Sequence, residues 1–248
     1  MSRRFFANNP IGGERFLLDG PEAHHLINVM RASAGDQVIL FDGSGHEFDG
    51  IIQEIARKQV SIGITGKRLV DRELPFQLTM GVSLPKGERQ KMLIEKLVEV
   101  GTTSLVPLLA DRGVAKPEKN VVARLERTVV EASKQCGRNV LMSIEAPRRC
   151  VEFFEQSPGQ ATRLLALPDA SAAISSVVAE RARTSQDKHF LCAVGPEGGF
   201  TESEIESATG HGWQPVNLGQ RILRAETAAI VMAGYLGLSY GSRATEAG

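Results

Sequence analysis

The chain has 248 residues, 42% hydrophobic and 23% charged, with 29 Lys and Arg against 29 Asp and Glu. That length is long for one domain of ~100–200 residues and comfortable for two, and a formal net charge of zero neither supports nor excludes a nucleic-acid partner. Three cysteines without Cys-x-x-Cys spacing and five scattered histidines exclude a zinc signature, so no metal is expected. No run approaches the ~20 apolar residues of a membrane span, and the first residues do not read as a signal peptide. The expectation is a cytoplasmic protein with no membrane partner.

Residues 1–70 read as β-rich. The segment 21–31 has helical spacing, with Leu26, Val29 and Met30 on one stripe. Strands are expected at 37–41, 47–55 and 59–65, the last alternating Val60, Ile62 and Ile64 against Ser61, Gly63 and Thr65. Asp42-Gly43-Ser44-Gly45 is a hairpin turn between the first two. Short strands with one helix suggest a small barrel. The basic pairs Arg3-Arg4, Arg57-Lys58, Lys67-Arg68 and Arg148-Arg149 either face one partner or are scattered solvated charges.

The charged, proline-ended stretch 70–75 marks a boundary, after which strands and helices alternate. A strand at 76–84 leads to a helix at 88–100 bearing Met92, Leu93, Leu97 and Val100, closed by Gly101. Then come a strand at 104–109, a helix at 120–136, a strand at 161–167, a helix near 172–183 and a strand at 189–194. An open α/β sheet of this kind binds ligands beyond the carboxyl ends of its strands.

Two glycine-bearing loops stand where such a crevice would be. Gly195-Pro196-Glu197-Gly198-Gly199 follows an apolar strand, and three glycines with a proline exceed what a plain strand-to-helix turn requires. Thr201 with Glu204 forms a capping box opening the next helix. No Gly-Lys-Ser/Thr ending and no Gly-x-Gly-x-x-Gly is present, which argues against a phosphate loop. The second loop, Leu218-Gly219-Gln220-Arg221-Ile222-Leu223-Arg224, follows a strand at 216–218. Its Ile222 and Leu223 call for apolar cover, such as an adenine face, with backbone amides near Gly219 and Leu223 at the ring's edge. The two arginines suit phosphate or carboxylate, or else pair with Glu226 or Glu197. From Ala225 to Gly234 a small-residue apolar helix reads as a domain core or a dimer face.

Gly195-Pro196-Glu197-Gly198-Gly199-Phe200 and Leu218-Gly219-Gln220-Arg221-Ile222-Leu223-Arg224-Ala225-Glu226-Thr227-Ala228 resemble the two hallmark motifs of the RsmE family. These are SPOUT-class methyltransferases of a uridine N3 in 16S ribosomal RNA. His24-His25-Leu26 with Val29-Met30-Arg31, Lys86-Gly87, Glu99-Val100-Gly101 and Glu131-Ala132-Ser133-Lys134-Gln135-Cys136-Gly137-Arg138 extend the likeness over nearly the whole chain. Gln220 stands where the family usually has proline, Ala225 where threonine is common and Leu125 where tryptophan is frequent.

The resemblance implies a PUA-like RNA-binding β-barrel over residues 1–71 and an α/β parallel-sheet domain with a trefoil knot over 74–244. It further implies a homodimer acting on 16S rRNA in the small ribosomal subunit. The implied cofactor is S-adenosylmethionine, held by Leu167, Gly195, Pro196, Glu197, Gly199, Leu218, Gly219, Ile222, Leu223, Arg224 and Thr227. An arginine near a uracil oxygen would stabilise the anionic base, with Arg138 and Arg224 as candidates and Arg112 behind them. Glu226 is the candidate base, though complementing the helix dipole is its plainer role. RNA contact is expected from Arg4, Arg31, Lys86, Arg89, Arg112, Lys134 and Arg138. The alternatives are a SPOUT enzyme acting on another rRNA or tRNA base, and a non-catalytic RNA-binding assembly module.

Overall fold

The computed structural model describes residues 3–113, 120–155, 161–184 and 188–241. Residues 1–2 and 242–244, the outer ends of the two expected domains, lie outside that set. The chain divides into two compact units, Met1–Glu73 with Val130–Leu141, and Leu74–Val129 with Met142–Gly248.

The first unit is built on a mixed five-stranded sheet of β1 (Arg4–Phe6), β2 (Arg15–Leu18), β3 (Gln37–Phe41), β4 (His46–Ile55) and β5 (Val60–Leu69). Its order is β1-β3-β4-β5-β2, antiparallel except where β1 pairs with β3. The expected hairpin joins β3 to β4, with Gly43 and Gly45 both in the left-handed region (φ 86° and 87°). Two register shifts, at Asp49/Gly50 and Ile52/Glu54, interrupt the β4–β5 ladder, and such bulges bend a sheet toward a barrel. Val38, Leu40, Val60 and Ile62 turn inward onto Phe5 and Leu26, as strand alternation dictates.

The expected helix at 21–31 is shorter and mixed: α1 (Gly20–His24) runs into a π-helical turn, His25–Val29. The wider turn shifts the phase of the side chains. Leu26 is fully buried, whereas Val29, expected on the same stripe, is 59% exposed.

Charge is buried in this unit in compensated form. Glu47 accepts hydrogen bonds from Arg4, Arg68 and Arg72, and Arg4 also donates to Asn139 Oδ1 at 2.7 Å. Burial alone would push the Glu47 carboxyl up; the bonds from Arg72, Arg4 and Arg68 outweigh it and hold the pKa at about 2. Lys134 pairs with Glu22 at 2.9 Å, and Arg138 pairs with Glu73.

The second unit is a parallel sheet of β6 (Gln77–Val82), β7 (Ser104–Leu109), β8 (Ser143–Ile144), β9 (Arg148–Arg149), β10 (Thr162–Ala166), β11 (His189–Val194) and β12 (Gln214–Val216). The order is β12-β10-β11-β6-β7-β8, with β9 also pairing with β7. Its helices are α2 (Glu88–Glu99), α4 (Cys150–Glu155), α5 (Ile174–Thr184), α6 (Glu202–Gly210) and α7 (Ala225–Gly241); α3 (Val121–Cys136) begins here and ends in the first unit. Gly101 closes α2 at φ +88°, as expected of a helix-ending glycine.

Both faces of the sheet are covered, which is why its strands read as unbroken apolar runs. Leu191 and Ala193 of β11 pack into a cluster with Phe153 and Phe154 of α4, Ala208 of α6 and Trp213. Phe190, on the opposite face, meets Tyr240 of α7 with ring centroids 4.7 Å apart. Two differences from the expected elements stand out. The last strand ends at Val216, two residues before the expected end, so Asn217 and Leu218 belong to the loop. The stretch 143–155, given no element from sequence, forms β8, β9 and α4, and the basic pair Arg148-Arg149 is β9.

Candidate active site

The neighbouring parallel strands β12, β10 and β11 end on the same side of the sheet. Residues 217–224, 167–171 and 195–200 lead away from those ends. A cavity of about 710 Å³ is lined by all three loops. This is the strand-end crevice in which open α/β sheets hold ligands, and its size suits a small molecule.

Asn217 pins two of the loops together. Its Nδ2 donates to Ala170 O at 2.7 Å, and its Oδ1 accepts the Gly219 N–H at 3.2 Å. Its backbone adds bonds to Ala172 O (2.9 Å) and from Ile174 N–H (3.0 Å). Gly219, at φ +106°, takes a backbone shape that other residues resist.

The loop 195–200 turns at Gly199 (φ +69°), whose N–H donates to Pro196 O at 2.8 Å. Gly195 and Gly198 serve a different purpose, close approach. A Cβ on Gly195 would stand 3.1 Å from the Phe200 ring, and one on Gly198 3.3 Å from Arg112 Cβ. The expected capping box is formed, with Thr201 and Glu204 bonding reciprocally.

Of the residues expected around a cofactor, Leu167, Gly195, Pro196, Glu197, Gly199, Leu218, Gly219, Ile222 and Leu223 line the cavity, whereas Arg224 and Thr227 do not. Ile222 is 87% exposed, an apolar side chain standing uncovered at the rim. Sequence reasoning missed the stretch 168–171, which supplies a wall; the proline directly after an apolar strand was the available signal. It also missed Ala225 and Ala228, small residues on the cavity-facing turn of α7.

The expected pairing of Arg221 or Arg224 with Glu197 or Glu226 is not formed; another arginine takes both carboxylates. Arg89, on α2, stands between the two carboxylates, with Nη1 3.1 Å from Glu197 Oε1 and 3.7 Å from Glu226 Oε1. Arg221 and Arg224 are exposed and form no ion pair among the described residues. Glu226 is buried at the start of α7, and its Oε2 has no hydrogen-bond partner among the described residues. Arg112 lines the cavity and donates to the carbonyls of Gly198 and Phe200.

A family described as RNA methyltransferase domain matches residues 72–237, and one described as RNA methyltransferase PUA domain matches residues 18–65. The ribosomal RNA small subunit methyltransferase E of a Synechocystis strain is 35% identical over 211 residues, covering 85% of this chain and 68% of that protein. Its Bacillus subtilis counterpart is 32% identical over 232 residues, covering 87% and 86%. The chain belongs to the ribosomal RNA small subunit methyltransferase E family. The crystal structure of the Neisseria gonorrhoeae enzyme of that name, bound to S-adenosyl methionine, superposes with a TM-score of 0.89 at 27% identity, covering 98% of this chain and 100% of that one. The fold is accordingly a PUA-like half-barrel followed by a SPOUT-type parallel-sheet domain.

In this family member the residues expected to touch RNA fall into three groups. Arg31 and Lys86 are exposed. Arg89 and Arg112 are engaged by the loop 195–200 as described. Arg4, Lys134 and Arg138 are buried in the first unit, each against a carboxylate. Arg138, a candidate for the chemistry as well, is thus held by Glu73 through both its Nε and an Nη.

Two general features complete the picture. Helix α7 is apolar around its whole circumference: Ala229, Met232, Ala233 and Leu236 are buried, while Val231 (43%) and Leu238 (80%) are exposed on the opposite side. Among the described residues, no helix is long and apolar enough to cross a membrane, and no cluster of His, Cys, Asp and Glu could hold a metal ion.

Proposed function

We propose that this protein methylates N3 of a uridine in 16S ribosomal RNA of the small subunit, with S-adenosylmethionine as the methyl donor. The observation carrying the reading is the cavity: the two motif loops form two of its three walls, in a chain whose family members are named as small subunit ribosomal RNA methyltransferases. The residues present fit the donor. Leu167, Leu223 and Ile222 offer apolar cover for a purine. The backbone at Gly219, with open space where a Cβ would stand, allows close approach to its polar edge.

When bound, S-adenosylmethionine supplies a methyl group on a sulfonium that departs as a neutral thioether. The chain's own part is positioning, which can contribute ~7–11 kcal/mol to such a displacement, and management of the acceptor's proton. The N3–H bond must break as the N3–C bond forms, its electron pair remaining on the ring. Arg224, exposed beside the cavity and without an ion pair among the described residues, is assigned to a uracil oxygen, where its charge stabilises the anionic ring. Glu226 is assigned to receive the proton, its Oε2 having no hydrogen-bond partner among the described residues. For Arg138, the Glu73 pair favours a structural role.

We further infer that the protein is a cytoplasmic homodimer. A helix apolar on all sides is normally buried on all sides, and the exposed Val231 and Leu238 face of α7 is the surface a second copy would cover. The test combines calorimetry and base mapping. Purified protein should bind S-adenosylmethionine and methylate small subunits assembled from unmodified RNA, at one uridine, as read by mass spectrometry. Methyl transfer to tRNA or to another base would refute the substrate. Absence of binding at millimolar cofactor would refute the enzyme.

A further inference from the structure

The loop 195–200 is held in shape by a turn that belongs to neither signature motif. Residues 110–113 follow β7, and two side chains cross between that turn and the loop in opposite senses. Arg112 Nη1 donates to the carbonyls of Gly198 (3.2 Å) and Phe200 (3.3 Å). In return Glu204, in the first turn of α6, accepts the Asp111 N–H on Oε1 at 3.0 Å. Its Oε2 accepts the Thr201 N–H at 2.7 Å.

Glu204 is almost fully buried, a costly place for a carboxylate unless donors surround it. Here the donors include main-chain amides on both sides of the gap, joined by the Thr201 hydroxyl at 3.2 Å and the Cys150 thiol. The approach is tight, since a Cβ on Gly198 would already press on Arg112 Cβ. Gly198, Phe200 and Arg112 all line the cavity. The brace therefore fixes the cavity wall itself.

We propose that Arg112 and Glu204 are positioning residues for the cofactor, holding the loop 195–200 in its binding shape before the ligand arrives. This rests on the reading of the cavity as an S-adenosylmethionine site. Arg112 is exposed, so its two bonds add little to global stability. Their effect lies in ordering a loop that would otherwise have to be ordered at the expense of binding. Glu204 thereby does more than close its capping box, because the same carboxylate reaches across to Asp111.

The test uses the full-length protein with R112A, R112K and E204Q. Three quantities are measured: calorimetric affinity for S-adenosylmethionine, initial rates on unmodified small subunits as cofactor is varied, and thermal unfolding without cofactor. R112A should raise the cofactor Kd and KM together by about tenfold and unfold cooperatively. R112K, which can still donate to one carbonyl, should recover part of the loss. E204Q should move the Kd in the same direction.

A merely structural role would instead lower the unfolding temperature and kcat with KM unchanged, and that outcome overturns the proposal. Wild-type affinity in R112A overturns it equally while leaving the cofactor reading intact. If the wild-type protein binds no S-adenosylmethionine, the cofactor reading itself fails, and the brace's role fails with it.

Discussion

Replacing Asn217 by alanine isolates the pin between two walls of the cavity. The change removes the 2.7 Å bond to Ala170 O and the 3.2 Å bond from Gly219 N–H, while the main-chain bonds of residue 217 persist. Each side-chain bond contributes about 1 kcal/mol net, so N217A forfeits about 2 kcal/mol. Part of that appears as lost stability and part as a looser cavity. If half is expressed in binding, the cofactor Kd rises about fivefold, since a tenfold change corresponds to about 1.4 kcal/mol. Asn217→Asp is more informative. Its carboxylate keeps an acceptor for Gly219 but turns a second oxygen toward the Ala170 carbonyl, and the repulsion should make it no better than N217A. Titration calorimetry with S-adenosylmethionine, paired with urea unfolding, measures both shares. If N217A leaves the Kd within about twofold and the unfolding free energy within about 0.5 kcal/mol, the pin carries no energy.

The double variant V231D/L238K places charge on the exposed face of α7 and should yield a monomer in sedimentation velocity; a persistent dimer would place the interface elsewhere. Glu226→Gln removes a buried charge with one unpartnered oxygen, so stability should stay within about 1 kcal/mol of wild type or rise. Methyl transfer should nonetheless fall at least about tenfold with cofactor affinity kept, and undiminished turnover would remove Glu226 from the chemistry. The Glu47 pKa is depressed in the folded state, so its stabilising contribution is complete above the ordinary value of 4.5 and is lost as pH falls toward about 2. E47Q should flatten that acid limb in unfolding experiments, and an unchanged acid limb would show that other carboxylates govern it.

The alternating grammar after residue 75 was legible because each strand is covered on both faces and each helix carries a regular stripe. The loop 195–200 was legible for a different reason: glycines needed for close approach leave a dense local mark. What escaped depended on distant partners. Nothing near Arg89 in sequence says that it stands between Glu197 and Glu226, residues more than a hundred positions away. Val29 escaped for a local reason, because a π-helical turn adds a residue per turn and defeats a 3.6-residue count. The short elements β8, β9 and α4 are each below the length at which periodicity can be counted. Arg4, Lys134 and Arg138 look like a basic surface when composition is read, and burial beside Glu47, Glu22 and Glu73 is a property of packing alone.

The first unit takes its last twelve residues, Val130–Leu141, from the far side of a long stretch of the other unit. A fragment ending at Glu73 would therefore lack Lys134, Arg138 and Asn139, leaving Glu22, Glu73 and Arg4 without partners they have in the full chain. The barrel is consequently not a cassette. Excision at a single linker would remove the partners of those side chains. A graft must carry the end of α3 with it, and any inheritance of the barrel as a unit must have kept both pieces in step.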